Sequence, residues 1–126
     1  MRYLIDTNIV IYLLAAPNAL SGEARRIVES EPDVSASIVS LWEIGIKQSI
    51  GKLSLRATIP EIENQCVGRG INILPISASA IERVKFLPDI HRDPFDRLLV
   101  AQAEEGGFVF VTSDTIIPQY PITTVW

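Results

Sequence analysis

The run Phe108-Val109-Phe110-Val111-Thr112 has no polar face until its last residue, and Gly106-Gly107 sets it off from what precedes. A strand of this kind must be covered on both sides, which a parallel sheet between helical layers provides and a half-solvated antiparallel sheet does not. The rest of the chain reads as the alternation such a sheet requires. Arg2 to Ile5 is a short buried strand, followed by helix from Thr7 to about Ala15 that stops before Pro17. Ser21 caps a second helix with Ala24, Ile27 and Val28 at helical spacing, and Asp33 to Ala36 is a second strand. Ser37 or Ser40 opens a third helix, with Ile38, Leu41, Trp42, Gly45 and Ile46 expected on its inner side and Gly51 at its end.

A fourth helix is expected over about Ile59 to Val67, with Pro60 tolerated in its first turn. Ile71 to Leu74 is extended and Ser77 to Phe86 helical. Asp93 and Pro94 start the last long helix as N-cap and first residue, with Phe95, Leu98, Leu99 and Ala103 as its buried stripe. Ile122 to Val125 closes the series as a short strand. No linker or repeat divides the 126 residues, so residues 1–126 are expected to form a single α/β domain with a mainly parallel sheet and helices on both sides.

In open parallel sheets, ligands bind beyond the carboxyl ends of the strands. Four acids meet that condition from separate parts of the chain: Asp6 directly after the first strand, Asp114 just past the Phe108 strand, and Glu43 and Asp96 in the opening turns of two helices. Each also has an ordinary structural role: Asp6 as a helix cap, Glu43 in a Ser40-to-Glu43 capping box or paired with Lys47, Asp96 against a helix dipole, Asp114 in a turn. Four such coincidences at one sheet edge are far less expected than one. Crowded carboxylates repel, and a hard divalent cation relieves them, which points to Mg²⁺ or Mn²⁺.

Composition narrows the chemistry. The net charge of −4 argues against a general nucleic-acid binder unless the acids are concentrated where a cation sits. One cysteine, Cys66, and one histidine, His91, exclude an intramolecular disulfide, a thiolate cage, a multi-histidine metal site and a pair of imidazoles acting as acid and base. Asp6, Thr7 and Asn8 interrupt the N-terminal apolar stretch, so neither a secretory signal nor a membrane span is expected, and a cytoplasmic location is. His91 is expected to be a solvated loop residue, while Trp42, Tyr120 and Trp126 are the aromatic side chains available for a partner surface, Trp42 being the one more commonly buried.

The segments Tyr3 to Ile9, Ser35 to Ile44, His91 to Ala103 and Val109 to Asp114, in this order and spacing, resemble the PIN-domain family, and specifically the toxin ribonucleases of VapBC toxin–antitoxin pairs. The resemblance implies a three-layer α/β/α sandwich and metal-dependent endonuclease activity on tRNA or other structured RNA. It implies Asp6 and Asp96 as principal metal ligands, Glu43 as a ligand directly or through water, and Asp114 completing the set. Asn8 and Thr112 would orient carboxylates or water, with Asp93 nearby as a cap. It also implies a homodimer and an antitoxin whose basic C-terminal tail covers the acidic cleft. Lys47, Lys52, Arg92 and Arg97 are the candidate phosphate contacts.

Other acidic α/β proteins fit less well. A phosphatase of haloacid dehalogenase type needs a second acid where Asn8 stands. A receiver domain needs adjacent acids after the first strand and a late lysine, but Ile5 precedes Asp6 and Gln119 to Trp126 contains no lysine. Gly68-Arg69-Gly70 lacks the third glycine of a phosphate loop. A silent PIN-like module that binds RNA or protein without cutting is the remaining alternative.

Overall fold

The computed structural model describes all 126 residues. Five strands, β1 (Tyr3–Ile5), β2 (Val34–Ser37), β3 (Asn72–Leu74), β4 (Val109–Val111) and β5 (Thr124–Val125), form one sheet in the order β3-β2-β1-β4-β5. Every neighbouring pair is parallel, with Ile5 opposite Ala36 on one side and Val111 on the other. The helices are α1 (Thr7–Ala15), α2 (Gly22–Ser30), α3 (Ile38–Ser49), α4 (Ile59–Gly68), α5 (Ala78–Val84) and α6 (Pro94–Gly106).

Strand periodicity divides the core in two. Tyr3 and Ile5 of β1 join a cluster with Ile9, Val10, Ala24, Ile27, Ile44 and Ile62, so α1, α2, α3 and α4 cover one face. Leu4 points the other way, with Phe108, Phe110, Leu99, Val100 and Ala103, under α6. The expected three-layer α/β/α sandwich is therefore the observed one. Leu4, Ile5 and Phe110 are fully buried; truncating a side chain of this kind to alanine costs about 2–5 kcal/mol.

The helix ends follow side-chain chemistry. The Ser21 hydroxyl accepts from the Ala24 N–H, and the Asp93 carboxylate accepts from the N–H groups of Phe95 and Asp96 ahead of Pro94. Gly107, at φ +66°, ends α6 in the left-handed conformation that glycine adopts without strain.

The inner face of α3 differs from the sequence expectation. Val39, Ser40, Leu41, Glu43 and Ile44 are its buried residues, whereas Trp42 is 60% exposed. Of the expected inner residues Leu41 is buried, while Ile38, Trp42, Gly45 and Ile46 line an open groove of about 410 Å³ with Leu41, Ser49 and Ile59. The helix is turned by polar anchors: Ser37, rather than Ser40, caps it, and Ser40 and Glu43 face inward onto Thr7. Tyr120 also departs from expectation; it is 2% exposed, and its hydroxyl accepts from the His91 N–H.

The chain leaves β1 toward β2 and β3, then returns to β4 on the other side of β1. That reversal opens a crevice between the carboxyl ends of β1 and β4, where a doubly wound sheet binds its ligands.

Candidate metal centre

Asp6 follows β1 and caps α1, its Oδ1 accepting from the Thr7 N–H at 2.7 Å. Its Oδ2 accepts from Thr112 Oγ1, also at 2.7 Å, so a residue just past β4 orients the acid just past β1. Thr112 Oγ1 in turn accepts from the Asp114 N–H at 3.0 Å. Asp114 is held further by its Oδ1, which accepts from the N–H groups of Ile116 and Ile117.

Glu43 is buried on α3. Its Oε1 accepts from Thr7 Oγ1 at 2.7 Å, and its Oε2 lies 3.1 Å from Lys47 Nζ. Asp96 stands in the first turn of α6 with its Oδ2 3.1 Å from His91 Nε2; the same nitrogen is 3.4 Å from Asp114 Oδ2. Single donor atoms of His91, Asp96 and Asp114 lie within 4.8 Å of one another. Asp96 Oδ1 is the one oxygen of the four carboxylates for which no protein hydrogen bond or ion pair is found.

The acids also bear on one another electrostatically. Burial pushes the Asp96 carboxyl up to about 8, and the charge of Asp6 adds most to that rise among its neighbours, ahead of Asp93, Glu43 and Asp114. Burial likewise raises Asp6 to about 6; the hydrogen bonds from Thr112 and Thr7 pull it back down, while Glu43 and Asp114 push it up. Hard oxygen donors, partly buried and short of compensating positive charge, suit a divalent cation such as Mg²⁺ or Mn²⁺.

The other residues singled out in the sequence fall into place unevenly. Asn8 is exposed on α1 and makes no side-chain hydrogen bond; Thr7 beside it does the orienting, together with Ser40. A threonine at the first position of a helix that Asp6 caps was the available signal. Asp93 serves as the α6 cap. Arg97 is committed to the protein, donating to the carbonyls of Pro88 (2.9 Å) and Val84 (3.0 Å) and to Tyr120 Oη (3.4 Å). Arg92 and Lys52 are exposed. His91 is not a solvated loop residue: its side chain is 16% exposed and lies between two of the acids.

Fold and site together define a class, the parallel α/β domains that gather carboxylates from several elements at the switch point of the sheet. The PIN domain, a member of that class, matches residues 3–122, and the chain belongs to the PIN domain family. No curated protein matches it significantly. Among solved structures it is similar to VapBC2 from Rickettsia felis, determined on a fragment of promoter DNA, with TM-score 0.73 and 16% identity over 99% of this chain and 98% of that one. VapBC from Salmonella typhimurium, also bound to DNA, gives TM-score 0.70 and 17% identity over 99% and 97%. Mycobacterium tuberculosis VapC20, a toxin that cleaves the sarcin–ricin loop, gives 0.66 and 20% over 93% of each chain. At these identities the likeness establishes the shared fold.

Proposed function

We propose that the protein is a Mg²⁺- or Mn²⁺-dependent endoribonuclease, the toxin of a toxin–antitoxin pair. The observation that carries this reading is the meeting of Asp6, Glu43, Asp96 and Asp114 at the β1/β4 crevice, with Asp96 raised to about 8 by burial and by the neighbouring acids. Membership of the PIN family and a fold shared with VapC toxins support it.

Asp6, Asp96 and Asp114 would hold the cation, with Glu43 reaching it directly or through water. A bound divalent cation supplies neutralisation of the phosphodiester charge and a more acidic water at the scissile bond. The protein's own groups do the positioning. Thr112 and the Thr7 N–H orient Asp6, Thr7 Oγ1 and Lys47 orient Glu43, and the Asp93 cap fixes the turn carrying Asp96. With Lys47 and Arg97 occupied, Arg92 and Lys52 remain the side chains best suited to phosphate.

An antitoxin partner follows from the same reading. The acidic crevice offers a basic tail its electrostatic complement, and the apolar groove of Ile38, Trp42, Ile46 and Ile59 supplies surface for a protein segment. Self-association would draw on exposed apolar side chains such as Ile81 and Phe86.

The test is cleavage of transfer and ribosomal RNA transcripts by the purified protein in Mg²⁺, Mn²⁺ or EDTA. Cleavage that needs the metal and disappears in folded Asp6→Asn and Asp96→Asn variants supports the reading. Binding without cutting, or full activity in EDTA, refutes it and leaves a silent module or a different chemistry.

A further inference from the structure

His91 carries the one imidazole of the chain, and it lies at the crevice between Asp96 and Asp114. Its position is held from outside the ring. The backbone N–H of His91 donates to Tyr120 Oη at 2.8 Å, and Tyr120 is buried, so the loop cannot drift without giving up a hydrogen bond to a side chain anchored in the core. The side chain is held independently: the N–H of Asp93 donates to Nδ1 at 3.2 Å.

That second bond decides what Nε2 can do. A backbone N–H only donates, so Nδ1 must present its lone pair, and the ring proton is left on Nε2. A histidine that ligates a metal through Nε2 has the opposite arrangement: its Nδ1–H donates to a carbonyl, a carboxylate or water, and its Nε2 is bare. Here ligation would require the proton to move to Nδ1 and face the Asp93 N–H, donor against donor. Proximity alone makes His91, Asp96 and Asp114 a plausible set of three ligands, but the hydrogen bonding rejects the histidine.

We infer that His91 is a positioning residue of the metal centre, not a ligand. Its Nε2–H is shared between Asp96 Oδ2 and Asp114 Oδ2, tying the acid of α6 to the acid that follows β4. The consequence falls on Asp96. With Oδ2 held by the imidazole, the carboxylate is restrained, and Oδ1, which has no partner in the protein, would be left to a bound cation. Asp114, held on Oδ1 by two backbone N–H groups and on Oδ2 by His91, is locked beside it. This rests on the metal-centre reading above, and the experiment separates the two.

Three measurements on the full chain test it. In the metal-free protein, ¹⁵N NMR of the single histidine should find Nδ1 unprotonated and Nε2 protonated. With Mn²⁺ as the probe, electron spin echo spectra should show no directly coordinated nitrogen. Mn²⁺ titrations should show His91→Ala binding about tenfold more weakly than the natural chain, the scale expected for losing a group that orients ligands. His91→Gln, whose amide N–H still donates, should recover most of that loss. A coordinated-nitrogen signal, a proton on Nδ1, unchanged affinity in His91→Ala, or no rescue by glutamine overturns the inference while leaving the metal centre standing. Failure of the natural chain to bind Mn²⁺ at all overturns both.

Discussion

Thr112 Oγ1 donates to Asp6 Oδ2 at 2.7 Å, joining residues 106 apart in sequence across the crevice of the sheet. The bond depends on parallel topology: only with β1 and β4 side by side and pointing the same way do their two following residues meet. It also couples fold to chemistry, because the same hydroxyl accepts from the Asp114 N–H and so sets two acids at once.

Replacing Thr112 by valine keeps the shape and removes both bonds. The Asp6 carboxylate loses the donor that offsets the upward push of burial and keeps it more acidic, and the Asp114 N–H loses its acceptor. Unfolding by urea at neutral pH should show a loss of about 1–2 kcal/mol, and Mn²⁺ affinity should fall about tenfold. Thr112→Ser should restore most of both. Equal stability and affinity in the valine variant would mean that this hydroxyl orients nothing.

Thr7 offers a parallel case on the other side of Asp6. Its hydroxyl lies 2.7 Å from Glu43 Oε1 and 2.9 Å from Ser40 Oγ, in a site where Glu43 is 6% exposed. Thr7→Val leaves a buried carboxylate oxygen without its donor, at a cost of about 1–3 kcal/mol. Thermal unfolding should place this variant clearly below Thr7→Ser; coincident melting curves would show that Lys47 alone suffices to hold Glu43.

At the end of α6, Gly106 is required by contact and not by backbone angle. A Cβ there would sit 2.2 Å from Phe108 Cε2 and 2.6 Å from its Cδ2. The ring is buried, and the Arg2 guanidinium stacks on it at 4.1 Å while donating to the Gly106 carbonyl, so the ring has little freedom to move aside. Gly106→Ala should lower stability by about 1–3 kcal/mol, although alanine favours helix by about 1 kcal/mol. A more stable alanine variant would show that Phe108 relaxes freely.

Much of this architecture is legible in the chain because local signals and tertiary demands agree. The apolar run at Phe108, the caps Ser21 and Asp93, and the stop at Gly107 each act within a few residues, and the acids gather because parallel strands share a carboxyl edge. What stays hidden depends on partners distant in sequence. The stripe of Ile38, Trp42 and Ile46 has the spacing of a buried face, yet Ser40 and Glu43 turn α3 so that Thr7 is satisfied and the stripe faces a groove. Arg97 looks free until Val84 and Pro88 offer their carbonyls. His91 looks like a loop residue until Tyr120 fixes its backbone. In each case a polar side chain answers a hydrogen-bonding need from another element, and periodicity carries no record of that.

The raised carboxyl of Asp96 makes a final, signed prediction. Its ordinary value is 3.8 and its folded value about 8, so between those limits the native protein holds a proton that the unfolded chain has released. Unfolding then releases protons, and stability falls as pH rises: the contribution is complete below about pH 4 and gone above about pH 8. Asp6, raised to about 6, acts in the same direction over the lower part of that window. In EDTA, the urea midpoint should therefore drop between about pH 5 and pH 8. Asp96→Asn removes the titration, flattens the curve, and should exceed the natural chain at pH 8 by on the order of 2 kcal/mol, a figure reduced for the partial solvent access of the site. A divalent cation favours the ionised carboxylate and reverses the slope, so Mn²⁺ should stabilise the natural chain more at pH 8 than at about pH 5.5 and scarcely affect Asp96→Asn. An asparagine variant less stable than the natural chain at pH 8 without metal would mean that Asp96 is compensated within the protein, and the case for a cation in the crevice would lose its electrostatic basis.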